Sequence, residues 1–460
     1  MIKKIVLSSI VIASLAVSVN AQAYSQEDMN KVLNRIDALE KALETQKVET
    51  MQQIETTQED IETLYDRADE NEFQATMNRI KWGAEFEVTA NNITTDSMGV
   101  EYDDNNKWTT KLRLSMESKI NEKTKFYGRL SMYKNWSDSA VSFLPDSVEG
   151  RKPTGGSAIY VERAYVDYNV NDVFSVTIGR QPSSDGPGMT LIENTQRKST
   201  YPAILFDGAA DGVVTTAKLA PTSSMNPILR AAYGKGFQSN TSFSPYTVNT
   251  ETISDLNVYG AFYEMSLPFK SMGDTLFVLS YVHGSDFIGH PQNVGTPNNK
   301  NLGDMDLAGV YFENNNAFGT NLSYFASAGW NMPDANGNTV NFGAMTGNQN
   351  VTLIQENGSA YHVGARYDFD FGIKLGYEFN HGSKYWYSFT NGSSDLLNKL
   401  ATRGDVNDVY AMYQIDLNQF IKLGYTMIDY DYTGSGWHIG TPQASTDSVD
   451  RMYATYNLRF

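Results

Sequence analysis

The sequence predicts an all-β, antiparallel transmembrane barrel of about sixteen strands, preceded by an α-helical coiled-coil segment. Three observations carry that expectation. The hydrophobic period changes from helical to two near residue 80, some sixteen two-faced segments follow, and the links between them alternate between short and long. Bulk composition narrows the function classes. The 460 residues carry 36 basic and 53 acidic side chains, a net charge of −17, and no cysteine. A surface this acidic argues against nucleic-acid binding, which needs a basic face. The missing cysteines remove thiol catalysis, disulfide scaffolds, zinc ribbons and anchoring through a lipidated N-terminal Cys.

The charge is unevenly placed, and its distribution divides the chain in three. Residues 1–23 contain two lysines and no acid, residues 24–79 carry net −8, and the remainder net −11. Of the 56 aromatic residues, 53 lie beyond residue 79. In the first segment Lys3 and Lys4 precede an apolar run from Ile5 to Val17, and Ala21-Gln22-Ala23 supplies small residues for a signal peptidase. That order predicts a secretory signal peptide over 1–23, too short to span as a mature helix.

Residues 24–76 predict a periplasmic coiled coil. Ser25 and Asp28 have capping-box spacing, and Met29, Val32, Ile36, Leu39 and Leu43 follow in alternating steps of three and four. The seam weakens at Gln46, Thr50 and Gln53 and resumes at Ile54, Ile61 and Leu64 after a four-residue slip, which unwinds a supercoil locally without ending it. A lone amphipathic helix on the barrel shares this pattern. At roughly 80 Å, however, the helix is too long to pack fully on one small domain. Self-association through residues 24–76, or a periplasmic strut, follows.

Residues 80–460 predict the barrel. Ile80, Trp82, Ala84, Phe86 and Val88 alternate with Lys81, Gly83, Glu85 and Glu87. The pattern returns where Tyr361, Val363 and Ala365 oppose His362 and Arg366, and where Leu375 and Tyr377 oppose Lys374 and Glu378. Links at 121–123, 170–171, 314–316, Asp370 and Leu417 are tight. Those at 91–105, 135–158, 181–210, 237–255, 285–302, 331–358, 382–403 and 430–448 are long. Outer-membrane barrels alternate in this way, with short periplasmic turns and long external loops. Sixteen strands enclose a lumen too wide for side chains to fill, so the charged face is expected to line water and the apolar face to meet lipid. Tyr, Trp and Phe suit interfacial girdles.

The chain stops at Met452-Tyr453-Ala454-Thr455-Tyr456-Asn457-Leu458-Arg459-Phe460, an amphipathic segment ending in phenylalanine. Tyr456, Leu458 and Phe460 look like the C-terminal insertion signal of Gram-negative outer-membrane proteins, which implies the barrel-assembly machinery, outer-membrane lipid and lipopolysaccharide as partners. Gly179-Arg180-Gln181-Pro182-Ser183-Ser184-Asp185-Gly186-Pro187-Gly188, then Arg197-Lys198-Ser199-Thr200-Tyr201-Pro202-Ala203 and Asp207-Gly208, carry a further likeness. With them the chain resembles the Gram-negative porins, and most closely an uncharacterised family of porin-like outer-membrane proteins of epsilonproteobacteria with a coiled coil ahead of the barrel. The architecture matches over essentially the whole chain, the motifs over about thirty residues. The resemblance implies passive transport of ions or small hydrophilic solutes and names no solute.

If the N-terminus of the first strand is periplasmic, Arg113, Arg129 and Arg163 fall near mid-height on three neighbouring strands, with Lys111 beside them. Aligned cations create a field that an opposing acidic loop turns transverse to the pore. In porins the third long link commonly enters the lumen, and here that link, 181–210, contains Asp185, Glu193 and Asp207. Arg366, Lys374 and Glu378 complete the expected pore-lining set. The competing reading has the arginines pairing only with Glu85, Glu117 and Asp167 on adjacent strands. Asp103, Asp104, Asn105 and Asn106 lack the spacing of a dedicated calcium loop. The histidines are scattered and no G-x-S-x-G accompanies His362, so no catalytic site, metal or cofactor is expected. The sequence therefore leaves two functions: an outer-membrane porin, or a barrel-anchored tether whose coiled coil braces the membrane against the cell wall.

Overall fold

The computed structural model describes residues 26–77, 79–136, 159–237, 253–267, 273–289, 300–341, 349–390 and 394–460. The expected signal peptide, Ser25 of the capping pair and nearly all of the link at 135–158 lie outside the described residues, as do most of 237–255 and 285–302 and part of 331–358. Two compact units divide at residues 78 and 79.

The first unit is a single helix, α1 (Gln26–Met77), without Gly or Pro to break it. Its seam residues are exposed, among them Leu39 at 65% and Leu43 at 69%. Five threonines, at 45, 50, 56, 57 and 63, donate their hydroxyls to the carbonyl four residues back, which removes a polar group from competition with the helix ladder.

The second unit is a closed antiparallel barrel in which each strand pairs with its sequence neighbours and the last pairs with the first. Its strands are β1 (Lys81–Ser97), β2 (Val100–Lys119), β3 (Thr124–Asn135), β4 (Tyr160–Asn169), β5 (Phe174–Arg180), β6 (Asp211–Lys218), β7 (Ile228–Phe237) and β8 (Leu256–Met265). They continue as β9 (Asp274–Ile288), β10 (Asn301–Asn315), β11 (Leu322–Ala335), β12 (Gly358–Asp368), β13 (Ile373–Gly382), β14 (Gly404–Gln414), β15 (Gln419–Tyr430) and β16 (Ser448–Arg459). The closing seam is tied at the chain end. Ala84 and Phe460 exchange backbone hydrogen bonds of 2.8 and 3.0 Å.

The alternating links hold with one correction. The long link expected at 91–105 is strand: β1 and β2 continue upward to a two-residue turn at Met98 (φ 57°) and Gly99 (φ 77°). Two left-handed residues make the hairpin turn whose twist matches the strands. The turn-forming residues in that stretch serve the ladder instead. The Asn91 side-chain amide donates to Lys107 O, the Asn92 side-chain oxygen accepts from the Asn106 N–H, and the pairing slips by a bulge between Asn91 and Ile93.

The outer face carries the apolar set, with Trp82, Leu279, Tyr281, Leu375, Leu423 and Tyr425 all exposed. The inner face departs from expectation. Along β12–β16 and β1–β4 it is charged, as predicted. Along β6–β10 it is largely apolar, presenting Val214, Leu256, Phe262, Val278, Met305 and Leu307 as buried residues. The charged lining thus covers only part of the wall.

Candidate functional site

The short strands β5 and β6 release residues 181–210 partway up the wall, and the loop folds into the lumen. Ser183, Ala203, Ile204 and Leu205 are each at most 2% exposed. Backbone chemistry sets its first bend. Asp185 takes a left-handed φ of 59°, and a Cβ on the adjoining Gly186 would stand 2.1 Å from Tyr201 O, so only glycine fits that approach.

Asp185 is aimed at the arginine wall. Its carboxylate accepts from Arg113 at 3.2 Å, Arg129 at 2.5 Å and Arg163 at 2.9 Å. A second carboxylate completes the cluster. Glu162 accepts from Arg129 Nε at 2.9 Å, from Arg113 at 3.3 Å, and from the Ser184 hydroxyl of the loop at 2.6 Å; Ser131 also donates to it. Arg113 reaches Glu85 at 3.3 Å. Beside this group Lys111 sits among Glu85, Glu87 and Glu193 at 3.2–3.5 Å, occupying the centre that three converging carboxylates would otherwise offer a metal ion. Glu117 and Asp167, the wall partners considered from sequence, form no salt bridge with these arginines among the described residues; Asp167 accepts from Thr177 instead.

Glu162 was not visible as a site residue because strict alternation turns it outward whenever Arg163 points inward. The β3–β4 pairing slips between Arg129 and Leu130, and this bulge leaves Glu162 and Arg163, consecutive in sequence, both buried at 4% and 7%.

The tip of the loop is held by β12, β15 and β16 through carbonyl oxygens. Leu191 O accepts from Arg366, Ile192 O from Lys422, and Glu193 O and Asn194 O from Arg459, at 2.7–2.9 Å. The Asn194 side-chain oxygen accepts from Lys374 at 2.8 Å, and its amide donates to Gln414. Arg366 and Lys374, expected to line the pore, are therefore docking groups for the loop. Glu378 lies 3.4 Å from His362, and both are buried. A third wall holds the loop through the Gly188 N–H, which donates to the Tyr311 hydroxyl, and through Arg197, which pairs with Glu264 at 3.0 Å.

Electrostatics fix the loop acids in opposite states. Burial would raise the Glu193 carboxyl, but Lys111 and Lys422 overcome it and hold the group at about 2. Asp185 is likewise held well below the carboxylate range, the three arginines outweighing its burial. Asp207, 3% exposed, has no such cation in contact; burial, with the negative charge of Asp185 adding, pushes it well up.

Within the long link expected at 382–403, residues 383–390 and 394–403 also fold inward, a course the sequence reading did not give. Trp386 and Tyr387 are fully buried, and the Trp386 indole donates to Leu400 O at 2.8 Å. Arg403 spans this loop and the next, donating to Trp386 O, Thr433 O and Trp437 O. The two loops are joined where Phe389 N–H donates to Leu205 O and Asp207 N–H to Phe389 O. The aromatic density of Tyr385-Trp386-Tyr387-Ser388-Phe389 was the available signal. Of the insertion-signal residues, Tyr456 and Phe460 point outward and are exposed, while Leu458 is partly buried.

A closed sixteen-stranded antiparallel barrel with a long loop laid across its lumen defines a porin-like fold. The same fold occurs in OprB of Pseudomonas putida, at TM-score 0.50 and 11% identity over 84% of this chain and 96% of that one. Salmonella typhi OmpF, solved in complex with daunomycin, aligns at TM-score 0.48 and 14% identity over 83% of this chain and 98% of that one. No curated protein matches the sequence. Residues 101–457 match the family described as "Protein of unknown function (DUF3373)", and the chain belongs to that family.

Proposed function

We propose that the protein is an outer-membrane channel passing ions or small hydrophilic solutes down their gradients through a narrow, loop-constricted lumen. One observation carries this reading: a barrel with an apolar exterior holds a charged array inside, across which a loop is pinned by ion pairs. So wide an apolar exterior is costly in water and natural in lipid. A cavity of about 570 Å³ beside the loop, lined by Thr190, Asn194, Arg197, Glu313 and Arg366, gives a polar approach to the constriction. Lys111, Arg113, Arg129 and Arg163 each contact a carboxylate, so they hold the constriction as well as set its field.

The fully buried Trp386, Tyr387 and Ala203 inside the barrel favour a second reading, a sealed anchor carrying α1. Planar-bilayer recording of the purified chain separates the two. A channel gives discrete conductance steps, retained when residues 24–76 are deleted, and replacing Arg113, Arg129 and Arg163 together with Ser shifts its reversal potential in a salt gradient. Absence of any steps assigns the barrel to anchoring.

A further inference from the structure

We propose that the barrel binds a neutral, single-ring aromatic compound in an apolar cavity between the returning arm of the lumen loop and the inner wall of β6–β9. The cavity volume is about 110 Å³. An apolar cavity of about 150 Å³ stays dry and takes up benzene, so this somewhat smaller space admits at most a single ring. Its chemistry favours a ring. Tyr201 stands edge-on to Phe262 with centroids 4.8 Å apart, and Phe206 lies between Tyr201 and Phe389 at 6.2 and 6.1 Å. Aromatic groups meet best edge-to-face or offset, and all four of these side chains line the cavity. Ala232 and Val214 on the barrel wall are small, which keeps the space open.

The Gln181 and Ser183 side chains of the lining are already committed. The Gln181 amide donates to Gly179 O and Gly212 O, and the Ser183 hydroxyl to Gly208 O. At the rim Asp211 accepts from Arg180 at 3.1 Å and Lys235 pairs with Asp255 at 2.5 Å. An ionised guest would enter without a counter-charge, and water would find few partners. A neutral apolar guest pays neither penalty. The rim is reachable, since the Asp211 and Lys235 side chains are 61% and 34% exposed.

This inference adds a solute class to the channel reading and rests on that reading only for its physiological role, since binding does not require conduction. The test uses the full-length protein in lipid nanodiscs, with fluorobenzene followed by fluorine NMR. Wild type should show a saturable component above lipid partitioning, weakened at least tenfold by Ala232→Phe, which fills the cavity. Val214→Phe serves if the first variant does not fold, as judged by heat-modifiable migration. Equal signals from wild type and a folded filled variant overturn the proposal, as does tighter binding of 4-fluorobenzoate than of fluorobenzene. Binding without conductance removes the channel reading and leaves the site; conductance without a saturable component does the reverse.

Discussion

Asp207 is a buried acid with no cation in contact among the described residues, and its surroundings make a pH prediction. Its backbone N–H donates to Phe389 O, while its Oδ1 meets no partner among the described residues. Burial raises its carboxyl, so the folded chain holds the proton more tightly than the unfolded chain does at about pH 4. Between that pH and the raised folded value the native state binds more protons, and stability falls as pH rises through the window. Asp207→Asn should remove this term, leaving a stability profile flatter than wild type above pH 4. Equal slopes for the two proteins in heat-unfolding measured from pH 4 to 9 would sink the idea. Asp185 and Glu193 act in the other sense. Their depressed carboxyls contribute stability above about pH 4 that is lost as pH falls, for Glu193 toward 2.

At the scale of the element, loop 181–210 depends on Asp185, the one loop carboxylate shared by three arginines. Removing one partner of a buried ion cluster costs about 3–5 kcal/mol, because the remaining charges are left uncompensated. Asp185→Asn should therefore loosen the loop, raise single-channel conductance, and expose Arg197 and Lys198 to trypsin, with the new cleavage read by mass spectrometry. Unchanged conductance and cleavage would place the loop's hold elsewhere, at the Leu191–Asn194 tip. How much of this element was legible follows from the same residues. Alternation located fourteen of the sixteen strands to within about five residues, because one face meets charge and the other apolar surroundings, whereas β1 and β2 run on to a turn at 98–99. It failed where that contrast fails. At Glu162 a bulge reverses the face, at Asn91–Asn106 turn-forming residues stabilise a bulged ladder, and in β8 Tyr259, Ala261 and Tyr263 alternate with Val258, Gly260 and Phe262, so neither face announces the apolar inner wall. Loop docking is a long-range matter: Asn194 meets Lys374 across 180 residues, and no local pattern encodes that.

At the scale of the whole molecule, α1 on its own poses a packing problem. Its 52 residues extend about 78 Å, and residues 29–69 are all exposed. Most helical stability in proteins comes from burying an amphipathic face, and an isolated helix in water lacks that term. Met29, Val32, Ile36, Leu39 and Leu43 form one stripe, each roughly half or more exposed, while acidic and amide side chains crowd the other faces. A second copy of the chain would supply a matching stripe at equal length and register, and knobs-into-holes packing would then bury the seam. The full-length protein in detergent should accordingly run as an oligomer by native mass spectrometry. Ile36→Asp with Leu39→Asp places charge in the seam and should weaken assembly at least tenfold, while heat-modifiable migration shows the barrel still folded. An oligomer that survives the double variant would assign assembly to another surface, and a wild-type monomer would leave α1 a strut whose seam meets a different partner.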